Sequence, residues 1–281
     1  MVSTGDNRSV EFDQYPAELM SGVTVYKTPD AGLVGQGLSG TIDLRTVRPL
    51  DYAEPIVAVS GRLQKNSLGS AANADDDGNR LSASYIGQFL DRTLGFSIGY
   101  SHTELPIQEK QVGLYEPWSA TNTTDRVRAG VPTGVYYSDG IKALRRTGEI
   151  ERDAVMATVQ YRPSNDWTST LDLFHTTADQ EDTANQFEVN LSGYNGGNGT
   201  TDPTVFIFDP RINGDTFAGG SAVNVYPLVR GMYRKREDKI DAFGWSNDFN
   251  VGVARVNADI GWSRATRDEL VLENNLHNNP R

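Results

Sequence analysis

From Ile56 onward the chain alternates apolar with polar or small residues in segments of about ten, the length a tilted strand needs to cross a hydrocarbon layer. The clearest segment is Leu94-Gly95-Phe96-Ser97-Ile98-Gly99-Tyr100, with Leu94, Phe96, Ile98 and Tyr100 on one face and Gly95, Ser97 and Gly99 on the other. A 3.6-residue helical period would mix the two sets, so the segment is a strand. The same period runs through Leu81, Ala83, Tyr85 and Phe89, through Val155 to Tyr161, through Trp167, Leu171 and Leu173, and through Val256 to Trp262. It predicts seven strands, near 56–65, 79–90, 93–104, 148–162, 167–179, 236–250 and 253–266.

A soluble sandwich also alternates, so the connections must decide. Every second one is short: Asp91-Arg92, Pro163-Ser164-Asn165-Asp166 and Val251-Gly252. The intervening stretches near 105–147 and 180–235 are very long. That parity belongs to an up-and-down transmembrane barrel with tight turns on one rim and long extracellular loops on the other. The expected fold is therefore all-β dominated, with residues 51–281 as the N-terminal part of an antiparallel outer-membrane β-barrel. An odd, open set of seven strands requires further strands after it.

Up to Asp51 the texture differs. Tyr15-Pro16-Ala17-Glu18-Leu19-Met20 reads as a short helical turn, and Val23–Lys27 and Thr41–Thr46 as strands around the glycine-rich turn 32–40. Three blocks in this order, Glu11-Phe12-Asp13-Gln14-Tyr15-Pro16, Val23-Thr24-Val25-Tyr26-Lys27-Thr28-Pro29 and Gly37-Leu38-Ser39-Gly40-Thr41-Ile42-Asp43-Leu44-Arg45-Thr46-Val47-Arg48-Pro49-Leu50, closely resemble the plug domain of TonB-dependent receptors. The variant with Val25-Tyr26-Lys27-Thr28-Pro29 is similar to the Xanthomonas and Caulobacter-type group. The resemblance implies that residues 1–50 are the C-terminal half of a mixed α/β plug inside a barrel of about twenty-two strands. It also implies location in the outer membrane of a Gram-negative bacterium and uptake of a scarce solute, siderophore or carbohydrate. Energy would come from the TonB-ExbB-ExbD complex, through a TonB box this chain lacks. A signal sequence, the first half of the plug and most of the barrel are likewise expected to lie outside it, so the chain reads as a fragment. The polar end, Asn274 to Arg281, reads as a loop.

Composition agrees with this reading without deciding it. Mean hydropathy is −0.48, and no apolar run is long enough for a helical span, but barrel strands average to polar values anyway. The formal charge of −11 and scattered basic residues exclude a nucleic-acid surface. With no cysteine there is neither disulfide nor thiolate chemistry.

Candidate chemistry is sparse. In Gly35-Gln36-Gly37-Leu38-Ser39-Gly40 the glycines match a dinucleotide fingerprint, but a strand follows them where that site needs a helix. Gly95-Phe96-Ser97-Ile98-Gly99 matches a hydrolase nucleophile elbow, yet the alternation runs through it unbroken. Small residues on an inward face beside a plug are the better account. The Asn73-to-Gly78 segment opens like a calcium loop and has Ser84 where the bidentate glutamate belongs. His102, His175 and His277 are isolated in sequence, so a metal site would have to be assembled in three dimensions, and the plentiful carboxylates single out no catalytic pair; no metal, cofactor or catalytic residue is expected. Solute binding falls to loop aromatics, Tyr115, Trp118, Tyr136, Tyr137 and Tyr194, which can stack on sugar or chelate faces or merely pack the loops. Plug cations Arg45 and Arg48 need acidic partners on the inner wall, for which Asp172 and Asp259 have the right parity. The alternatives are a secreted β-sandwich adhesin or glycan-binding module, and a membrane-barrel enzyme.

Overall fold

The computed structural model describes residues 15–28, 40–67, 76–115, 119–120, 129–138, 140–191, 205–225 and 227–277. Among these there is no α-helix, only short 3-10 turns at Ala17–Leu19 and Pro49–Asp51. The strands are β1 (Met20–Tyr26), β2 (Thr41–Thr46), β3 (Ile56–Lys65), β4 (Asp77–Phe89), β5 (Leu94–Leu114), β6 (Ser119–Ala120), β7 (Tyr136–Tyr137), β8 (Gly140–Ser164), β9 (Trp167–Asn190), β10 (Phe206–Asn213), β11 (Thr216–Val223), β12 (Pro227–Val251) and β13 (Ala254–His277).

Seven of them form one antiparallel sheet in the order β13-β12-β9-β8-β5-β4-β3, so neighbours in the sheet follow one another along the chain. Its short turns are where the sequence put them. Gly252 supplies the left-handed conformation at the β12–β13 turn (φ 62°) that a side chain would resist. The β4–β5 turn has no glycine: Leu90, Asp91 and Arg92 all take positive φ, at 55°, 52° and 66°. Thr93 offsets that strain by donating both its N–H and its hydroxyl to the Leu90 carbonyl, at 3.1 and 2.7 Å.

The strands on the long-connection side run much further than the alternation does. β5 continues to Leu114, β8 begins at Gly140, β9 reaches Asn190, and β12 and β13 extend over 227–235 and 267–277. Loops placed at 105–147 and 180–235 thus contract to 115–139 and 191–226, and the polar end through His277 is strand. The cause is a change of composition without a change of backbone. Within the extensions the outward positions carry charges, Lys110, Arg145, Glu181, Lys235 and Asp268 among them, while the ladder of backbone bonds goes on. Hydrophobic period is then blind to the strand.

The two long connections build a second sheet, β10-β11-β7-β6, over a core of Val131, Val135, Tyr137, Val205 and Ile207. The N-terminal residues form a third, the antiparallel hairpin β1–β2, pairing Val23 with Leu44 and Val25 with Ile42.

The large sheet is inside out by the standards of a protein in water. Its polar face is the covered one: Ser97, Ser101, Thr103, Thr158, Gln160, Thr170 and Thr176 are each under 9% exposed. Its apolar face is open, with Val57, Leu81, Ile98, Tyr100, Leu173, Phe243, Trp245, Ile260 and Trp262 all exposed.

Candidate functional site

The covered face is covered by the N-terminal segment. Glycines make the room. A Cβ on Gly95 would lie 2.8 Å from Leu50 Cγ and 3.0 Å from Pro49 Cγ, and one on Gly99 would collide with Leu19. The Gly95-Phe96-Ser97-Ile98-Gly99 sequence is therefore a seat for Leu50 and Leu19 within a continuous strand. Leu19 packs on Ala154 and Met156, and Tyr15 stacks on Phe174 with ring centroids 5.3 Å apart. Burial pushes the Tyr15 phenol up to about 12.

Polar side chains of the sheet then capture the backbone of the 3-10 turn. Leu50 donates its N–H to Gln160 Oε1 (3.0 Å), and Gln88 donates to the Pro49 carbonyl (2.8 Å). From the β4–β5 turn, Arg92 donates to the carbonyls of Leu50, Tyr52 and Ala53. Arg48 donates through Nη1 to both oxygens of Asp172 on β9, at 2.8 and 3.0 Å. Thr46 and Thr158 donate to the same carboxylate at 3.1 and 2.7 Å. With two hydroxyls and the Arg48 guanidinium donating to it, the Asp172 carboxylate is well satisfied while still partly exposed.

Of the proposed inner-wall pairings, then, Arg48 and Asp172 are brought together. Arg45 is not: it bonds Asp43 on its own strand at 3.1 Å. Asp259 sits on the same face of β13, two strands from Asp172, and contacts neither arginine. Below the segment a polar cleft of about 440 Å³ opens between Arg48, Asp51, Arg162, Asp248, Asn250 and Arg255.

Toward the long connections the same face carries a charged wall that sequence reasoning missed. Arg267 grips Asp238 with two bonds, at 2.7 and 2.9 Å, and Arg236 lies 3.2 Å from it. Arg146 lies 3.4 Å from both Glu109 and Asp182, and Arg230 lies between Glu188 and Glu273. The signal was in the parity of β12, where Arg230, Arg234, Arg236 and Asp238 all point the same way. Such a wall offers forked donors and acceptors to a polar solute.

The aromatic candidates divide. Tyr137 is 1% exposed, in the core of the small sheet against Phe217, and so is unavailable to a solute; its hydrophobic neighbours, remote in sequence, claim it. Tyr136, its neighbour on the other face, is exposed. Tyr115 hydrogen-bonds Glu188 and lies under the Lys142 ammonium, 4.3 Å from the ring centroid. Burial, then that bond to a carboxylate, push its phenol up to about 12. Trp118 and Tyr194 lie outside the described residues.

The remaining motifs resolve simply. Gly40 is followed by β2, and Lys65 reaches Asp76 and Asp77 at 3.4 Å, so the two carboxylates of the calcium-like segment that lie among the described residues are paired with an ammonium. Two histidine–aspartate pairs stand on the outward face, His102 with Asp153 and His175 with Asp241, and no serine hydroxyl is bonded to either histidine among the described residues.

No family model, curated protein or solved structure matches the chain.

Proposed function

We propose that this chain is part of a TonB-dependent outer-membrane transporter, with residues up to about Asp51 acting as plug and the seven-stranded sheet as the first wall of its barrel. The observation that carries the reading is the exposed apolar band on the outward face. Soluble monomers rarely expose contiguous apolar patches above a few hundred Å², and here the band crosses all seven strands.

Its course supports lipid contact further. The last apolar outward residue before the charged zone is Leu63 on β3, Leu81 on β4, Tyr100 on β5, Val155 on β8, Leu173 on β9, Phe243 on β12 and Trp262 on β13. Followed through the register, the row of Trp262 arrives on β3 at Val57, six positions short of Leu63. A drift of six residues over six strand spacings, at ~3.3 Å per residue and ~4.8 Å per strand, tilts the strands by about 35° to the band normal. Membrane barrels tilt their strands by about 35–45°. A soluble sheet has no plane that its apolar edge must follow obliquely.

On this reading the aromatic clusters Tyr161–Trp167–Phe249 and Phe243–Trp262 lie at the two interfaces. The charged wall and exposed Tyr136 face the solute path, and the docked segment closes it until the TonB-ExbB-ExbD complex pulls. The solute is of siderophore or carbohydrate class, and no covalent chemistry is involved.

The test compares two lysine substitutions in the full-length protein. Ile98 faces outward and Ser246 lines the polar cleft. In water a lysine at an exposed isoleucine costs little; in lipid it costs about 2–4 kcal/mol near the midplane. The expected result is that Ile98→Lys impairs outer-membrane assembly and Ser246→Lys does not. Normal assembly of Ile98→Lys would sink the reading in favour of a soluble β-protein.

A further inference from the structure

Among the described residues, one group brings three ligand atoms of metal-binding type together: His102, Glu151 and Asp153. His102 on β5 pairs directly across the ladder with Asp153 on β8, 51 residues away in sequence. Glu151 is two residues along β8 and so on the same outward face. The group stands one step beyond Tyr100 and Val155, at the charged edge of the apolar band.

We infer that His102, Glu151 and Asp153 form a binding site for a divalent transition-metal ion of the zinc or manganese type. His102 Nδ1 and Asp153 Oδ1 are 3.0 Å apart, which suits adjacent ligands of one ion at ~2.0–2.2 Å from each. Nitrogen, oxygen and all three ligand atoms lie within 4.8 Å of one another, and Glu151 is exposed and free to turn inward by a rotamer change. One imidazole with two carboxylates is a donor set for zinc or manganese rather than for calcium, and three protein ligands leave positions for water. Tyr100 donates its hydroxyl to Asp153 and fixes the carboxylate, as outer partners of metal ligands do.

Surroundings favour a cation. The row of Glu151 runs across five strands as Glu104, Glu151, Asp179, Glu237 and Asp268, each opposite the next. Like charges directly opposed in a sheet destabilise it, and a divalent ion beside them offsets that repulsion. The second pair, His175 with Asp241 at 2.7 Å, is an internal contrast. It has Lys239 3.9 Å from Asp241 and Arg264 opposite across the ladder, and among the described residues no second carboxylate completes it. Lys239 already pairs with the carboxylate there.

The full-length protein in detergent should take up one zinc ion at this site, measured by competition with a chromophoric zinc chelator. His102→Ala and Glu151→Gln should each weaken that uptake by more than about tenfold, while His175→Ala leaves it unchanged. Zinc should raise the Tm of the parent protein and not that of His102→Ala, because an ion bound only by the folded state stabilises it. Without zinc, His102→Ala should melt close to the parent, its side chain being near the surface, and Glu151→Gln no lower than the parent, since it removes one of the opposed charges. Uptake that survives His102→Ala would assign the ion to the acidic row alone and overturn the site. So would uptake lost with His175→Ala, or no uptake by the parent at about 100 μM zinc.

Discussion

The Arg48 guanidinium and the Asp172 carboxylate meet at 2.8 Å across 124 residues of sequence, joining the segment that leaves β2 to the first part of β9. The pair is partly shielded, with side-chain exposures of 38% and 26%, and Thr46 and Thr158 complete the carboxylate's shell. It anchors the N-terminal hairpin to the sheet.

Removing either partner should therefore loosen that hairpin. In a double-mutant cycle of Arg48→Leu and Asp172→Asn, the coupling is expected to be about 1 kcal/mol, modest because both groups still see water. Hydrogen exchange at the amides of Thr41–Thr46 reads it, since they should lose protection before the large sheet does. Zero coupling would mean the segment is held by its apolar contacts and by the Gln88, Arg92 and Gln160 hydrogen bonds, without help from this ion pair.

Those contacts have their own test. A valine at Gly95 would meet Leu50 and Pro49 at under about van der Waals distance, so Gly95→Val should destabilise docking by about 1–3 kcal/mol. Leu50→Ala added to it should restore part of the loss, read by protease cleavage within the N-terminal segment. A Gly95→Val protein with unchanged cleavage would contradict the seat described for Leu50.

Adjacent tyrosines should behave oppositely. Tyr137→Ala empties the centre of the small sheet and should cost about 3 kcal/mol locally, seen as faster hydrogen exchange over Phe206–Val223. Tyr136→Ala, at an exposed position, should leave that exchange unchanged and, on the transporter function proposed above, weaken solute uptake instead. Equal exchange in the two variants would erase the distinction between core and surface.

Much of the fold was legible in the sequence because the apolar period and the turns are local properties. Ile98 and Tyr100 mark β5 as surely as Gly252 marks a turn. The strand extensions were not legible, since Lys110, Arg145, Glu181 and Lys235 stand on the outward face where apolar residues would mark a strand, while the backbone ladder continues. Parity alone gave Asp172 its facing, but could not tell that Arg45 would be satisfied by Asp43 beside it. Tyr137 read as a loop aromatic because the residues that bury it, Val205 and Ile207, come from the other long connection. His102 and Asp153 escaped notice for the same reason: register brings them together, and register is not local.

The facing of the sheet admits a direct measurement because the chain has no cysteine. A single nitroxide label can be placed at Ile98→Cys, on the outward band, and at Ser246→Cys, in the polar cleft, in the full-length protein reconstituted in lipid. A label at 98 is expected to collide with dissolved oxygen and to be shielded from a water-soluble nickel chelate, while a label at 246 shows the reverse. Free access of the nickel chelate to position 98 would contradict it, leaving the apolar band to face water or protein rather than lipid.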